Sequence, residues 1–292
     1  MTSSFKGREG ETGIPLGVRE YSEGSRSRAL TLSLISISAA LYAVAIAVTS
    51  PVPTPWGVGH FRPGVVIPAF FSVVFGPIVG GVGAAIGCFI GDFALSFFGL
   101  TTPLLSLIAG VPGNLAGFYI LGGLVSRRRS IAFFVLSNFA ALIAGNLIAA
   151  LGVLVYFWFI VPDWALWPMD LKITVLVGLA LFWVATMVVF VVPLVPVLVT
   201  YIEPTLARIG VRGVSNLSWN SPASLVKSSA LVASILGAIY VLVVFVPGGS
   251  LLFGGVVPPE LLLLASAVVF ASGLIFAVLA GKLGKVSTSG SL

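Results

Sequence analysis

The chain has 292 residues, of which 58% are hydrophobic and only 8% are charged, and its formal net charge is +6. Ordinary globular domains carry about 25% charged residues, so this composition excludes a soluble globular protein and indicates an integral membrane protein. A helical span needs about 20 apolar residues, and the apolar runs of the sequence predict about eight transmembrane helices in an all-α polytopic fold.

The first predicted elements are a polar tail and an apolar helix. The tail covers residues 1–28, mixes basic and acidic side chains, and is expected to be disordered and cytoplasmic. The first span is predicted from Ala29 to Val48. Within it Ala39, Ala43 and Ala47 recur every four residues, which places small side chains on one helical stripe. The stripe predicts close approach of another helix, from this chain or from a partner.

A proline-rich loop follows the first span and leads into an unusually short apolar segment. The loop reads SPVPTPWGVGHFRP and carries Trp56, His60 and Arg62. The second span is predicted from Gly64 to Phe75, which is too short to cross an undistorted bilayer as a straight helix. It is therefore predicted either as a short span or as a re-entrant segment, and Gly76-Pro77 is predicted to turn the chain back.

The third span combines glycines with a charge. It is predicted from Ile78 to Phe98, and Gly83, Gly87 and Gly91 form a GxxxGxxxG stripe that is typical of close helix contact. Asp92 follows directly. A charge in hydrocarbon costs about 2.5 to 3.5 kcal/mol on insertion scales, so this carboxylate is expected to have a compensating partner.

Five further spans complete the predicted topology. Their boundaries are Pro103 to Val125, Ile131 to Ile160, Ile173 to Tyr201, Ala230 to Val246 and Leu261 to Gly281. The sixth span is expected to kink at Pro193 and Pro196. Residues 202–229 are predicted to be a cytoplasmic loop, and residues 282–292 a cytoplasmic tail. Most basic residues, including the run at positions 127–129, fall on one side, which predicts that both termini are cytoplasmic and that the protein lies in the plasma membrane.

The sequence gives little support for catalysis. It contains no GxxxxGK[ST] phosphate loop and no HExxH motif, and His60 is its only histidine, so nucleotide hydrolysis and zinc chemistry are not predicted. We predict no catalytic residue, no cofactor and no metal site. The basic residues are dispersed over tails and loops, which indicates membrane topology and not nucleic-acid binding. Cys88, the single cysteine, is predicted to serve packing only.

Polar residues at similar predicted depths indicate a ligand-binding site. With a rise of about 1.5 Å per residue, Asp92 lies in the outer half of the membrane, Asn114 lies near its middle, and Asn146 lies roughly 22 Å up from Ile131. Such residues are costly against lipid and instead favour one outward-facing cavity below the loop. The predicted binding residues are Trp56, His60, Arg62, Asp92, Asn114 and Asn146, and Tyr42, Trp56 and Trp158 are predicted to offer flat apolar walls.

Each polar residue also has a structural interpretation. Arg62 and Asp92 are compatible with a purely structural ion pair, and Asn114 with capping of an interrupted helix. Asn138 and Asn146 are candidates for hydrogen bonds between helices. The sequence alone leaves these alternatives open.

The order of these features resembles the substrate-binding S component of energy-coupling factor (ECF) transporters. The similarity rests on residues 29–129, above all on RPGVVIPAFFSVVFGPIVGGVGAAIGCFIGD. It implies a six-helix binding core over residues 29–201 and an outer loop that covers a vitamin-sized ligand. It also implies that Ala39, Ala43 and Ala47 contact a transmembrane coupling subunit, and that two cytoplasmic ATPase subunits supply the energy.

One departure and two alternatives remain at this point. S components that resemble this chain usually end after six helices, whereas residues 230–281 are predicted to add two more. A self-sufficient ion-coupled carrier, with Asp92 exchanging protons, is one alternative, and a membrane scaffold that transports nothing is another. The sequence does not identify the substrate, since aromatic walls and a few amides suit a flavin, a pyrimidine vitamin or a modified base equally.

Overall fold

The structure is a computed structural model that describes residues 28–50, 59–128, 130–208 and 211. Six α-helices, two three-residue 3-10 helices (Pro63–Val65 and Trp164–Leu166) and no strand occur in these ranges. The helices are α1 (Arg28–Thr49), α2 (Val66–Phe75), α3 (Pro77–Ser96), α4 (Pro103–Val125), α5 (Ile131–Ile160) and α6 (Met169–Arg208). Trp56, the N-terminal tail, the predicted spans seven and eight, and the C-terminal tail lie outside the described residues.

Five of these helices are long and apolar enough to cross a membrane, and α2 is the exception. This confirms the prediction of an all-α polytopic membrane protein. The six helices correspond to the first six predicted spans.

The short helix α2 lies in the middle of the bundle. Its residues are buried almost without exception, including Pro68 and the aromatic cluster of Phe70, Phe71 and Phe75. It packs against α1, α3, α4 and α6. A helix that is apolar on every side is stable only when protein or lipid surrounds it completely. Because other helices surround α2, its short length does not require the bilayer to thin around it.

The chain reverses between α2 and α3 at Gly76. Its φ of +93° and ψ of 177° define a backbone conformation that is essentially restricted to glycine. Pro77 then starts α3 at a position where its missing N–H costs nothing. Helix α4 packs closely on this turn, because a Cβ at Gly122 would lie 2.7 Å from the Pro77 Cα.

The glycine stripe of α3 brings α1 into close contact. A Cβ at Gly83 would lie 2.7 Å from the Ser38 side chain, and one at Gly91 would lie 2.8 Å from Ile46. At Gly87 the nearest atom is the backbone oxygen of Ala39, at 2.7 Å. This arrangement confirms the predicted close helix contact and identifies α1 of the same chain as the neighbour.

Helix α4 accommodates Pro112 without breaking. The backbone widens into a π-helical segment at Ser106–Gly110, with only Val111 between this segment and the proline. Proline clashes with the carbonyl group four residues earlier, and a π segment relieves such a conflict locally. The helix therefore continues to Val125 and is not interrupted.

Helix α6 is longer than predicted. It begins at Met169 and continues to Arg208, so it extends past Tyr201 into the segment that was predicted to be a loop. Ile202 and Leu206 explain this extension, since both pack against the hydrophobic core. The helix also continues through Pro193 and Pro196.

We expect Gly87→Ala to destabilise the bundle by about 1–3 kcal/mol, because its methyl group would press on the Ala39 carbonyl and overpack the α1–α3 contact. Unfolding temperature of the purified protein in detergent is the measurement. Gly123→Ala is the matched control, since a Cβ there has nothing within 4 Å. Equal effects of the two substitutions would contradict the inferred role of the glycine stripe.

Candidate functional site

A buried ion pair joins the loop before α2 to helix α3. Arg62 Nη2 lies 2.5 Å from Asp92 Oδ1, and the two side chains are 10% and 2% exposed. The second carboxylate oxygen, Oδ2, accepts a hydrogen bond of 2.7 Å from the Ser106 hydroxyl on α4. Asp92 thus has the compensating partner that the sequence predicts, and three segments of the chain meet at its carboxylate.

The ion pair belongs to a larger polar network whose centre is Cys88, one helical turn before Asp92. The Cys88 sulfur accepts hydrogen bonds of 3.3 Å from Arg62 Nη1 and from Asn114 Nδ2. Asn114 Oδ1 in turn accepts a 2.9 Å hydrogen bond from the hydroxyl of Tyr42 on α1. The network therefore crosses the bundle from α1 through α4 and α3 to the loop.

Asn114 also makes a contact within its own helix, which is continuous at this point, so the residue does not cap an interrupted helix. Its amide group donates a 2.8 Å hydrogen bond to the carbonyl oxygen of Gly110, at the end of the π segment. This bond satisfies a backbone group beside the irregular turn. Asn114 therefore stabilises its own helix and connects that helix to α1 and α3.

The loop residues before Arg62 are fixed on α6. Trp183 Nε1 donates a 3.1 Å hydrogen bond to the backbone oxygen of His60. Gly59 has a φ of +78°, and a Cβ there would collide with the Trp183 ring. Phe61 makes an edge-to-face contact with Phe190, with ring centroids 5.7 Å apart. Residues 59–62 thus connect α6 to α3 across the bundle.

His60 is buried in this connecting segment, with 3% of its surface exposed. Its Nδ1 has no hydrogen-bond partner among the described residues. Burial lowers the pKa of His60 below its ordinary value of 6.5, nearby Arg62 lowers it further, and Asp92 opposes the shift. The neutral imidazole is therefore the form that the folded loop favours.

Asn146 lies apart from this network, on the other side of α4. Its Nδ2 donates to the Met187 sulfur on α6 at 3.5 Å, which is a contact between helices. Together with Asn138 it lines a small cavity between α4, α5 and α6. Asn114 also lines this cavity, so it adjoins both polar regions.

The structure thus brings together some of the predicted binding residues and separates others. Arg62, Asp92 and Asn114 share one network, His60 lies two residues before Arg62, and Asn146 lies across α4. The role of these residues in ligand binding stays a prediction. Of the three predicted aromatic walls, Tyr42 is fully buried in the network, Trp158 is 63% exposed, and Trp56 lies outside the described residues.

The predicted partner stripe on α1 is divided between the inside and the outside of the bundle. Ala39 and Ala43 are 3% and 8% exposed, whereas the side chain of Ala47 is exposed. Ala40 is also exposed. Within the described chain, only Ala47 of the three predicted contact residues presents its side chain at the surface.

Sequence reasoning missed three residues that organise the site. Cys88 was predicted to serve packing alone, yet its position four residues before Asp92 places both on one helix face. Neither Ser106 nor Trp183 gave a signal beyond its place in an apolar span. Their roles depend on which helices are neighbours, which spacing within one helix does not specify.

Comparison with known proteins gives one family. The family model for "ECF-type riboflavin transporter, S component" matches residues 27–174, which make up half of the chain and include α1 to α5 and the start of α6. No curated protein and no solved structure matches the chain.

Removing one member of the ion pair should be strongly destabilising. Arg62→Met leaves the Asp92 carboxylate buried without its counter-charge, and such a loss costs about 3–5 kcal/mol. The double variant Arg62→Met with Asp92→Asn should recover part of that loss, because no uncompensated charge remains. Denaturant unfolding of the single and double variants measures the coupling between the two residues. Arg127→Met, at an exposed position, is the control. Additive effects would contradict the pairing.

Acid should weaken the connection of residues 59–62 to the bundle. Because the pKa of His60 is lowered on folding, its contribution to stability is complete above pH 6.5 and is lost as the pH falls below 6.5. The unfolding temperatures of the wild type and of His60→Gln, measured from pH 5 to pH 8, test this. The difference between the two should change below pH 6.5, and a constant difference would contradict the prediction. His60 is the only histidine, so no other imidazole contributes.

Proposed function

Because the chain belongs to the ECF-type riboflavin transporter S component family, we propose that it captures riboflavin at the outer face of the membrane. In this proposal the protein is the substrate-binding subunit of an importer. A transmembrane coupling subunit and two cytoplasmic ATPases complete the transporter. The family match over residues 27–174 carries the proposal, since it includes both the loop and the helices that hold the polar network.

The surroundings of the loop suit a flat ligand with a polar edge. Trp183, Phe61 and Phe190 place three aromatic rings where residues 59–62 meet α6. Aromatic faces bind other aromatic rings by offset stacking or edge-to-face contact. The isoalloxazine ring of riboflavin is such a ligand, and its ring nitrogens and oxygens need hydrogen-bond partners. His60, with its unpartnered Nδ1, is a nearby group that can provide one.

The ion pair has a positioning role in this proposal. The charges of Arg62 and Asp92 compensate each other, and a ligand that brought a further, unpaired charge to this buried position would bind at a high cost. We therefore assign them to holding the loop end in place, while ligand contact falls to Trp56, His60 and the outer ends of the helices. Asn114 connects this network to α1, because it accepts a hydrogen bond from the Tyr42 hydroxyl.

The energy that drives release of the bound riboflavin must come from partner subunits. The sequence contains no phosphate-binding loop, so ATP hydrolysis is assigned to separate subunits. Docking to the coupling subunit is assigned to the exposed face of α1, which carries Ala40, Val44 and Ala47. Small side chains on that face allow another helix to approach closely.

Calorimetry of purified protein with riboflavin, thiamine and a modified nucleobase tests the substrate assignment. We expect saturable binding of riboflavin only. The aromatic rings of Trp183, Phe61 and Phe190 favour a three-ring ligand over one with a single ring. His60→Gln should weaken riboflavin binding. The absence of riboflavin binding to well-folded protein would overturn the substrate assignment, as would equal binding of all three compounds.

Transport in sealed vesicles distinguishes the proposal from its alternatives. Riboflavin uptake should require the coupling subunit, both ATPases and ATP. Uptake by the chain alone, driven by a proton gradient and lost in Asp92→Asn, would instead establish an ion-coupled carrier. Neither binding nor uptake would favour a scaffold.

Ala47→Leu and Ala43→Leu should have separable effects. Ala47 is exposed, so its replacement should block docking to the coupling subunit and abolish uptake while riboflavin binding persists. Ala43 is 8% exposed inside the bundle, so its replacement should lower the unfolding temperature. Co-purification with the coupling subunit, riboflavin binding and unfolding temperature measure the three effects. Normal uptake by Ala47→Leu would remove this residue from the proposed interface.

A further inference from the structure

A small pocket lies between α4, α5 and α6, and it adjoins the ion-pair network only at Asn114. Its volume is about 30 Å³. Side chains and glycine surfaces from three helices line it, including Gly113, Asn114, Asn138, Gly145, Asn146 and Met187. The helices are close at its edge, because a Cβ at Gly113 would lie 2.7 Å from the backbone oxygen of Gly145.

Asn138 lines this cavity with a buried amide group that has no partner among the described residues. Its side chain is completely buried, and neither its Nδ2 nor its Oδ1 has a hydrogen-bond partner among the described residues. An amide that is buried without partners loses its hydrogen bonds to water and gains none in return, which costs several kcal/mol in an apolar medium. In the membrane interior no bulk solvent compensates for this loss. A buried asparagine that lines a cavity therefore indicates that the cavity contains a polar ligand.

The neighbouring polar groups do not satisfy Asn138. The amide group of Asn114 already donates to Gly110 and to Cys88, and its oxygen accepts from Tyr42. Asn146 Nδ2 makes only a 3.5 Å contact with the Met187 sulfur, which is a weak acceptor. The cavity thus has an amide donor and an amide acceptor available at Asn138.

Size and charge identify the class of ligand. A pocket of this volume has room for one or two water molecules. No charged side chain lines it, so a bare cation would lose its hydration without a compensating negative charge. Water both donates and accepts hydrogen bonds, as Asn138 requires.

We propose that Asn138 and Asn146 form an internal hydration site in the membrane interior, which binds one or two water molecules between α4, α5 and α6. This site is separate from the proposed riboflavin site, and the proposal does not depend on the identity of the substrate. The bound water replaces the direct hydrogen bond between helices that the sequence predicted for Asn138.

Radiolytic labelling in water enriched in oxygen-18 tests the site. X-ray pulses split bound water into hydroxyl radicals, which oxidise the nearest reactive side chain. At this site that side chain is Met187, whose sulfur contacts Asn146. Substrate-free protein in lipid nanodiscs is irradiated, and mass spectrometry measures oxygen-18 in the peptide containing Met187. Met187 is only 6% exposed, so labelling there reports internal water, whereas Met169, which is 68% exposed, reports solvent.

We expect clear labelling of Met187 in the wild type and loss of most of it in Asn138→Leu, with Met169 unchanged. Asn146→Leu should have the same effect and provides a second test if Asn138→Leu fails to fold. Ser137→Ala is the matched control, since Ser137 is equally buried on the same helix but does not line the cavity. Absence of Met187 labelling in the wild type would overturn the proposal, as would labelling that neither asparagine variant reduces.

Discussion

The guanidinium group of Arg62 and the carboxylate of Asp92 are buried together in a protein that offers little water to either. Each charge on its own would be expensive there, and their attraction compensates only when the remaining hydrogen-bonding atoms are also satisfied. Ser106 and Cys88 meet that requirement from α4 and α3. The position of the loop and the packing of these helices are consequently interdependent, because a displacement of any one of them exposes an unsatisfied charge.

Small residues make this network geometrically possible. The side chain of Tyr42 reaches Asn114 because Gly87 lets α1 lie against α3, and a Cβ there would be only 3.0 Å from the Tyr42 Cβ. The same relation recurs between α4 and α5, where Gly113 and Gly145 are in contact beside the polar cavity. Glycine contacts therefore determine which polar groups can meet, and those groups in turn give the helix pairs a defined register.

Much of the fold follows from the sequence by simple rules, and the exceptions have identifiable physical causes. Apolar run length locates the helices, and the glycine stripe predicts a close neighbour for α3. Contacts between residues on different helices are harder to predict from the sequence. Spacing along α3 shows that Cys88 and Asp92 share a face, but only the arrangement of helices brings Arg62 to that face. The extension of α6 past Tyr201 similarly depends on core contacts of Ile202 and Leu206. The sequence allows two roles for Arg62 and Asp92, an ion pair or contact with a ligand, and only the fold shows that they pair.

Helix α6 has 40 residues, which corresponds to about 60 Å at 1.5 Å per residue, roughly twice the thickness of a hydrocarbon core. Trp183, where the loop is attached, and Arg208, at the other end of the described helix, are therefore about 37 Å apart along its path. Pro193 and Pro196 lie between them, and prolines inside a helix are the positions where it bends most easily. A bend of about 10° at these prolines would move Arg208 by about 3 Å while the contacts of Trp183 with the loop stay in place.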